Sequence, residues 1–292
     1  MLRISAPIIF AALLTAAQAA PPQQQWAKGI AEGNAAWATV KHAILKIQDA
    51  AYLRDGDAVS LAGRAGTPES WRWSKGELRG AALVVRLAGG HPQIAKAGKP
   101  VPPESLAKGI DIAPGIDVTG APTQVAAGVW GIRVFVFNQN AKAAKAFKGV
   151  EVFPYDAAWR VTARFKPDPK LTPHAFRTSR GTDKQFFHAG DATFALMGKT
   201  VVLPFYADTN VPAKIASMTA FFTDGLTGRG AYGAGRYVDA ETFGKFPPSV
   251  VTVDFNFAYN PNCARSPFFT CPIAIDNIPL AVRAGEKDPH AH

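Results

Sequence analysis

TFALMGKTVVLPF, residues 193–205, reads as two strands, 193–197 and 200–205, joined by the tight turn Met197-Gly198-Lys199. Glycine supplies the positive φ that so short a reversal needs, and the aromatic and branched residues on either side suit a pleated, half-buried surface. The same texture, short apolar runs divided by Gly, Pro, Asn and Asp, recurs at 70–73, 82–87, 129–137, 159–165 and 186–189 upstream and at 218–223, 235–238 and 250–257 downstream. With 26 Gly and 23 Pro in 292 residues, punctuation is too frequent for long helices. The expected fold is mainly β, an antiparallel β-barrel or sandwich-like single domain over residues 51–287.

The exception lies near the N-terminus. Apolar residues Trp26, Ile30, Trp37, Val40, Ile44 and Leu45 recur at mostly three-, four- or seven-residue steps. That spacing predicts a helix from 26 to about 47, within a segment 20–50 whose apolar stripe packs on the body. Gly29 and Gly33 weaken its first half. Residues 89–124, rich in Pro and Gly with little periodicity, read either as a domain seam or as a set of loops. No spacer is long and polar enough to be a free linker, which favours one continuous body.

Residues 1–19 read as a signal peptide: Arg3, then the apolar run PIIFAALL at 7–14, then the small-x-small site Ala17-Gln18-Ala19. Cleavage after Ala19 is expected to deliver the chain to the periplasm or outside the cell. The apolar run is about half of the roughly 20 residues needed to cross a bilayer, and no second run of that length follows. No transmembrane segment is therefore expected after cleavage. Residues 288–292 read as a flexible tail. Lys and Arg total 32 against 22 Asp and Glu, a net charge of +10. The basic residues are dispersed, with no block of five or six, so they suit a solvated surface and no nucleic-acid partner is expected.

Most motifs fail on context. Gly228-Arg229-Gly230-Ala231-Tyr232-Gly233 fits G-x-G-x-x-G but is followed by strand-like sequence where a dinucleotide site needs a helix, so a glycine-rich hairpin is expected. Gly198-Lys199-Thr200 lacks the upstream glycine of a phosphate loop. H-E-x-x-H, G-x-S-x-G and C-x-x-C are absent, the histidines are scattered, and neither a metal nor another cofactor is expected. Cys263 and Cys271 enclose seven residues among Pro261, Pro267 and Pro272. In an oxidising compartment, the simplest reading is a structural disulfide that pins a bent loop, contributing about 2.5 kcal/mol.

Strand alternation places Arg160, Thr162 and Arg164 on one face of 159–165, opposite Trp159, Val161, Ala163 and Phe165. In an open sheet the arginine face is simply wet. In a barrel it could line the lumen, where two guanidinium forks suit a carboxylate or phosphate.

The chain also resembles the bacterial and archaeal domain of unknown function 1684 family. The resemblance rests on FKGVEVFPYDAAWRVTARF at 147–165, FTDGLTGRGAYGAGRY at 222–237, DFNFAYNP at 254–261, the Cys263–Cys271 block, Asn277 and Ala284-Gly285-Glu286-Lys287. It is expected to cover most of the chain from about residue 70 onward. Phe257, Asn262, Arg265 and Ile273-Ala274-Ile275 depart from the family's pattern. The resemblance implies a β-rich domain and no catalytic assignment.

These blocks supply the candidate site: Asp224, Tyr232, Arg236, Asp254, Asn256, Tyr259, Asn260 and Asn277, with Arg160 and Arg164. Buried without partners, each polar group would cost about 1–3 kcal/mol, so they are expected to pair with one another or to converge on a ligand. The leading expectation is a module that binds a small anionic molecule near Arg236, with Tyr232 and Tyr259 as hydrogen-bonding walls. The alternatives are a hydrolase that uses Asp224 or Asp254 with Tyr232 or Arg236, and an envelope interaction protein without a pocket.

Overall fold

The computed structural model of the chain describes residues 21–241 and 246–290. The expected signal peptide, 1–19, and residues 291–292 of the expected tail lie outside them. A single long helix, α1 (Pro22–Ala38), precedes the strands β1 (Ile47–Leu53), β2 (Ala58–Arg64), β3 (Thr67–Lys75), β4 (Leu83–Ala88), β5 (His91–Lys96), β6 (Lys99–Val101), β7 (Ile110–Ala113), β8 (Ile116–Ala126) and β9 (Val129–Asn138). Then come β10 (Arg160–Pro167), β11 (Pro173–Arg177), β12 (Asp183–Leu196), β13 (Lys199–Ala207), β14 (Ser217–Thr223), β15 (Arg236–Glu241), β16 (Val250–Asp254) and β17 (Asp276–Asn277). The mainly β fold with an N-terminal helix is as expected.

The first nine strands form two antiparallel sheets, ordered β1-β9-β8-β7 and β3-β2-β4-β5-β6. Their inner faces meet in one apolar cluster that includes Leu53, Leu61, Leu83, Val85, Val118 and Val134, each essentially without solvent contact. The remaining strands form a third sheet, β15-β14-β13-β12-β10-β16, with β11 added to β12 and β17 parallel to β14. Its two ends, β15 and β16, lie side by side, so the sheet curls into a half-barrel around a second core of Ala163, Phe165, Phe194, Leu203, Phe205, Phe222 and Val253. Alternation gives the sheet one inner face, since every second residue of β13, β14 and β16 is buried and those of β10 are buried or half-buried.

The hairpin at 193–205 forms as read. Leu196 pairs with Lys199, leaving a two-residue turn in which Met197 and Gly198 both take positive φ, 47° and 76°, the backbone twist that such a turn requires. The strands read at 186–189 and 193–197 are one element, β12, broken by a register shift between His188 and Gly190. At Gly190 a Cβ would stand 2.3 Å from the Lys166 carbonyl of β10, so the bulge needs glycine.

Two expectations differ. The helix stops at Ala38 instead of about residue 47, because Thr39 and Val40 are β-branched and Lys46 reaches back to their carbonyls at 3.2 and 2.8 Å. Residues 47–53 become β1 instead. The stretch 89–124 is largely strand, β5 to β8, in short pieces whose prolines hide the alternation.

Candidate functional site

Arg236 opens β15 and is 1% exposed. Its Nη2 donates to Asp224 Oδ2 and, at 2.8 Å, to the Val282 carbonyl, while Nη1 donates to the carbonyls of Ala284 and Glu286. The guanidinium lies over the Phe222 ring, 5.5 Å from its centroid. Asp224 is in turn fixed by the Leu226 amide at 2.6 Å. This constellation fastens the strap 282–286 to β15 and to the end of β14.

The asparagines act similarly. Asn256, 1% exposed, donates to the Asp156 carbonyl and to Asp254 Oδ1, both at 2.9 Å, and accepts the Asp156 amide at 3.0 Å. Asn260 holds the Lys287 carbonyl at 2.7 Å. Asn277, exposed at the end of β17, accepts from the Thr223 hydroxyl at 3.3 Å. Tyr232 is half-buried, and its ring lies 6.1 Å from that of His290. Arg164 is exposed on the outer face of β10.

A different subset converges on open space. Arg160 of β10 is directly paired with Asp254 of β16 in the ladder, and their side chains meet at 3.4 Å. Thr252 lies two residues along the same face of β16. Asp239 reaches this face from β15, across the seam of the half-barrel. Together with Phe257 and with Pro22 and Gln25 of α1, these residues line a cleft of about 530 Å³ on the outside of the sheet. Asp239 accepts the Thr219 hydroxyl at 2.6 Å and the Tyr259 hydroxyl at 3.2 Å. Burial first, and then Asp239, raise the Tyr259 hydroxyl far above the ordinary tyrosine range, so it stays protonated and serves as a donor.

Helix α1 roofs this cleft because it is tied down at Trp26. The indole donates to the Asn256 carbonyl at 2.9 Å and sits 5.7 Å from the Tyr155 ring. Gly29 completes the fit, since a Cβ there would stand 2.8 Å from the Phe257 ring. The glycine that lowers helix propensity is thus what allows the helix to approach. A second cavity, about 300 Å³ and lined by Leu87, Pro92, Leu106, Trp130 and Ile132 among others, has no charged residue among the described residues of its wall.

The sequence-level candidates therefore separate. Arg160 and Asp254 line the cleft, with Asn256 and Tyr259 behind them. Arg236 and Asp224 form a buried pair elsewhere, and Tyr232, Asn260, Asn277 and Arg164 stand apart from the cleft. Sequence reasoning missed Asp239, Thr252, Phe257, Pro22 and Gln25 as lining residues. Alternation along 250–257 was a usable signal for Thr252 and Asp254; the approach of α1 had none.

The cysteines also differ from expectation. Both are free thiols, Cys263 partly exposed and Cys271 buried. Among the described residues, no group of three or more His, Cys, Asp or Glu is placed to hold a metal ion.

Residues 145–287 match the family described as Protein of unknown function (DUF1684). The family resemblance holds over that stretch, starting at residue 145 and not at about 70. A solution NMR structure of an uncharacterized protein from Haloarcula marismortui is 27% identical over 52% of this chain and 82% of that one, with a TM-score of 0.43. Comparison with curated proteins gives no match.

Proposed function

We propose that this protein is an exported binding protein that holds a small polar molecule in the cleft beneath α1. The observation that supports this reading is the convergence of Arg160, Asp239 and Asp254, from three different strands, on one cavity of about 530 Å³. Ligand sites combine a shaped cavity with a few converging polar groups, and here rigid strands supply them. A simple anion would meet Arg160 but also two carboxylates. The lining suits a ligand that brings an anionic group to Arg160 and a hydrogen-bond donor to Asp254, with a flat apolar part against Phe257. Small amino-acid-like zwitterions have that pattern.

Binding is preferred to hydrolysis because Asp224 and Arg236 are enclosed and Tyr232 stands apart from the cleft, which leaves the expected catalytic partners without access to a common cavity. The pattern of residues 1–19 supports export, and no helix among the described residues is long and apolar enough to cross a membrane.

Melting the purified chain against a panel of amino acids, with succinate as a simple dicarboxylate control, tests the proposal. A zwitterion at a hundredfold excess over its Kd should stabilise the fold by about 2.7 kcal/mol. Arg160→Ala should abolish that shift. A shift that survives intact in Arg160→Ala, or a chain indifferent to every zwitterion, would overturn it.

A further inference from the structure

Strand β9 sends a row of side chains into the core shared by the first two sheets. Val136, Val134 and Ile132 stand in that row at 0%, 0% and 7% exposed. The period of two along a strand makes Trp130 the next member of the same face. Yet Trp130 is 60% exposed, more than any other large apolar side chain among the described residues. It does not lie on a loose end. Trp130 is directly paired with Gln124 of β8, and the Gln124 side chain is fastened to β12, accepting the Gln185 amide at 2.8 Å and donating to the Gln185 carbonyl at 2.7 Å. An indole on the core-facing side of the sheet is thus held in place and left uncovered.

Beside it lies the apolar cavity of about 300 Å³. Leu87 and Pro92 line it from the facing sheet, Leu106 from the short helical turn Ser105–Lys108, and Trp130 and Ile132 from β9. Among the described residues of the wall, the indole N–H of Trp130 is the one polar side-chain group. An ion that entered would give up its water and meet no counter-charge. A helix, about 10–12 Å across, is too wide for a cavity of that volume. Sites that enclose small molecules run from about 300 to 1,000 Å³, and this one stands at the small end of that range.

We propose that this cavity is a second ligand site, which takes a small uncharged molecule with a flat aromatic ring and packs it against Trp130. Binding covers the indole and extends the buried row that Val136, Val134 and Ile132 begin. The site is separate from the cleft beneath α1, since no residue lines both. The cleft selects by charge, whereas this cavity selects against it.

Titration of the full chain with N-phenyl-1-naphthylamine, an uncharged probe that fluoresces in apolar surroundings, tests the proposal. The wild type should show one saturable site per chain. Trp130→Ala, a change at an exposed position, should weaken binding by about tenfold or more with little change in melting temperature, and Trp130→Phe should restore most of the affinity. Ala107→Phe, which adds a ring to the cavity from an exposed position of its wall, should abolish binding. 2-Naphthol should displace the probe, while 2-naphthoate, the same ring with a carboxylate, should require at least about tenfold more. Arg160→Ala should bind the probe as the wild type does. A chain that does not bind the probe, binding unchanged in both Trp130→Ala and Ala107→Phe, equal competition by naphthoate, or loss of binding in Arg160→Ala would overturn the assignment.

Discussion

Two arginine–aspartate pairs stand on the same half-barrel and are used in opposite ways. Arg236 and Asp224 are sealed, their side chains 1% and 0% exposed, and the guanidinium is committed to one carboxylate and three carbonyls. Arg160 and Asp254 meet at 3.4 Å with the arginine side chain 45% exposed, in the wall of a cleft. The difference follows from what each arginine replaces. Inside, the guanidinium satisfies the Val282, Ala284 and Glu286 carbonyls of a strap that belongs to none of the three sheets, and a buried charge is tolerable only with its full set of acceptors. On the outer face, the half-exposed Arg160 keeps donors that can exchange water for a ligand. Identical residue types thus serve closure in one place and recognition in the other.

Breaking the sealed pair should have the largest effect. Arg236→Met leaves Asp224 and the 282–286 carbonyls unpaired, and should cost about 3–5 kcal/mol in denaturant unfolding. Adding Asp224→Leu should recover part of that loss, since removing both charges is milder than orphaning one. Next comes the strap itself. Gly285 has φ +73°, and a Cβ there would stand 2.3 Å from the Ala258 carbonyl, so Gly285→Ala should cost roughly 2–3 kcal/mol, read as a lower denaturant midpoint with an unchanged slope.

A third carboxylate gives a pH-dependent contrast. Hydrogen bonds from Thr172, then from the Lys170 amide and His188, hold the Asp168 pKa well below the ordinary aspartate range. The folded state therefore binds a proton there less readily than the unfolded state. The stabilisation is fully present above the ordinary aspartate pKa and is lost as pH falls towards the folded value. Asp168→Asn should flatten the acid limb of a plot of Tm against pH between 7 and 3 while changing Tm at pH 7 in the same direction as acidification does. Smallest of all, Arg160→Ala should shift unfolding by no more than about 1 kcal/mol, as expected for an exposed pair.

Local chemistry was legible in the sequence; long-range adjacency was not. The 193–205 hairpin could be read because glycine and alternation act within a few residues. So could the arginine face of β10, by the same period of two. That β16 is the strand placed beside it, so that Arg160 faces Asp254, depends on a pairing between distant segments that no local pattern encodes. Arg236 misled for a related reason. Arginine is seldom fully buried, and only the strap's unpaired carbonyls, contributed by residues far along the chain, make its burial sensible. The strands in 89–124 were hidden by prolines at ladder positions such as Pro92 and Pro122, which the usual strand signals discount.

The comparison between the two pairs can be settled by one measurement, equilibrium urea unfolding of Arg236→Ala and Arg160→Ala side by side with the wild type. A loss of about 3–5 kcal/mol for the first and at most about 1 kcal/mol for the second is the predicted result. Equal losses, or a greater loss for Arg160→Ala, would contradict it.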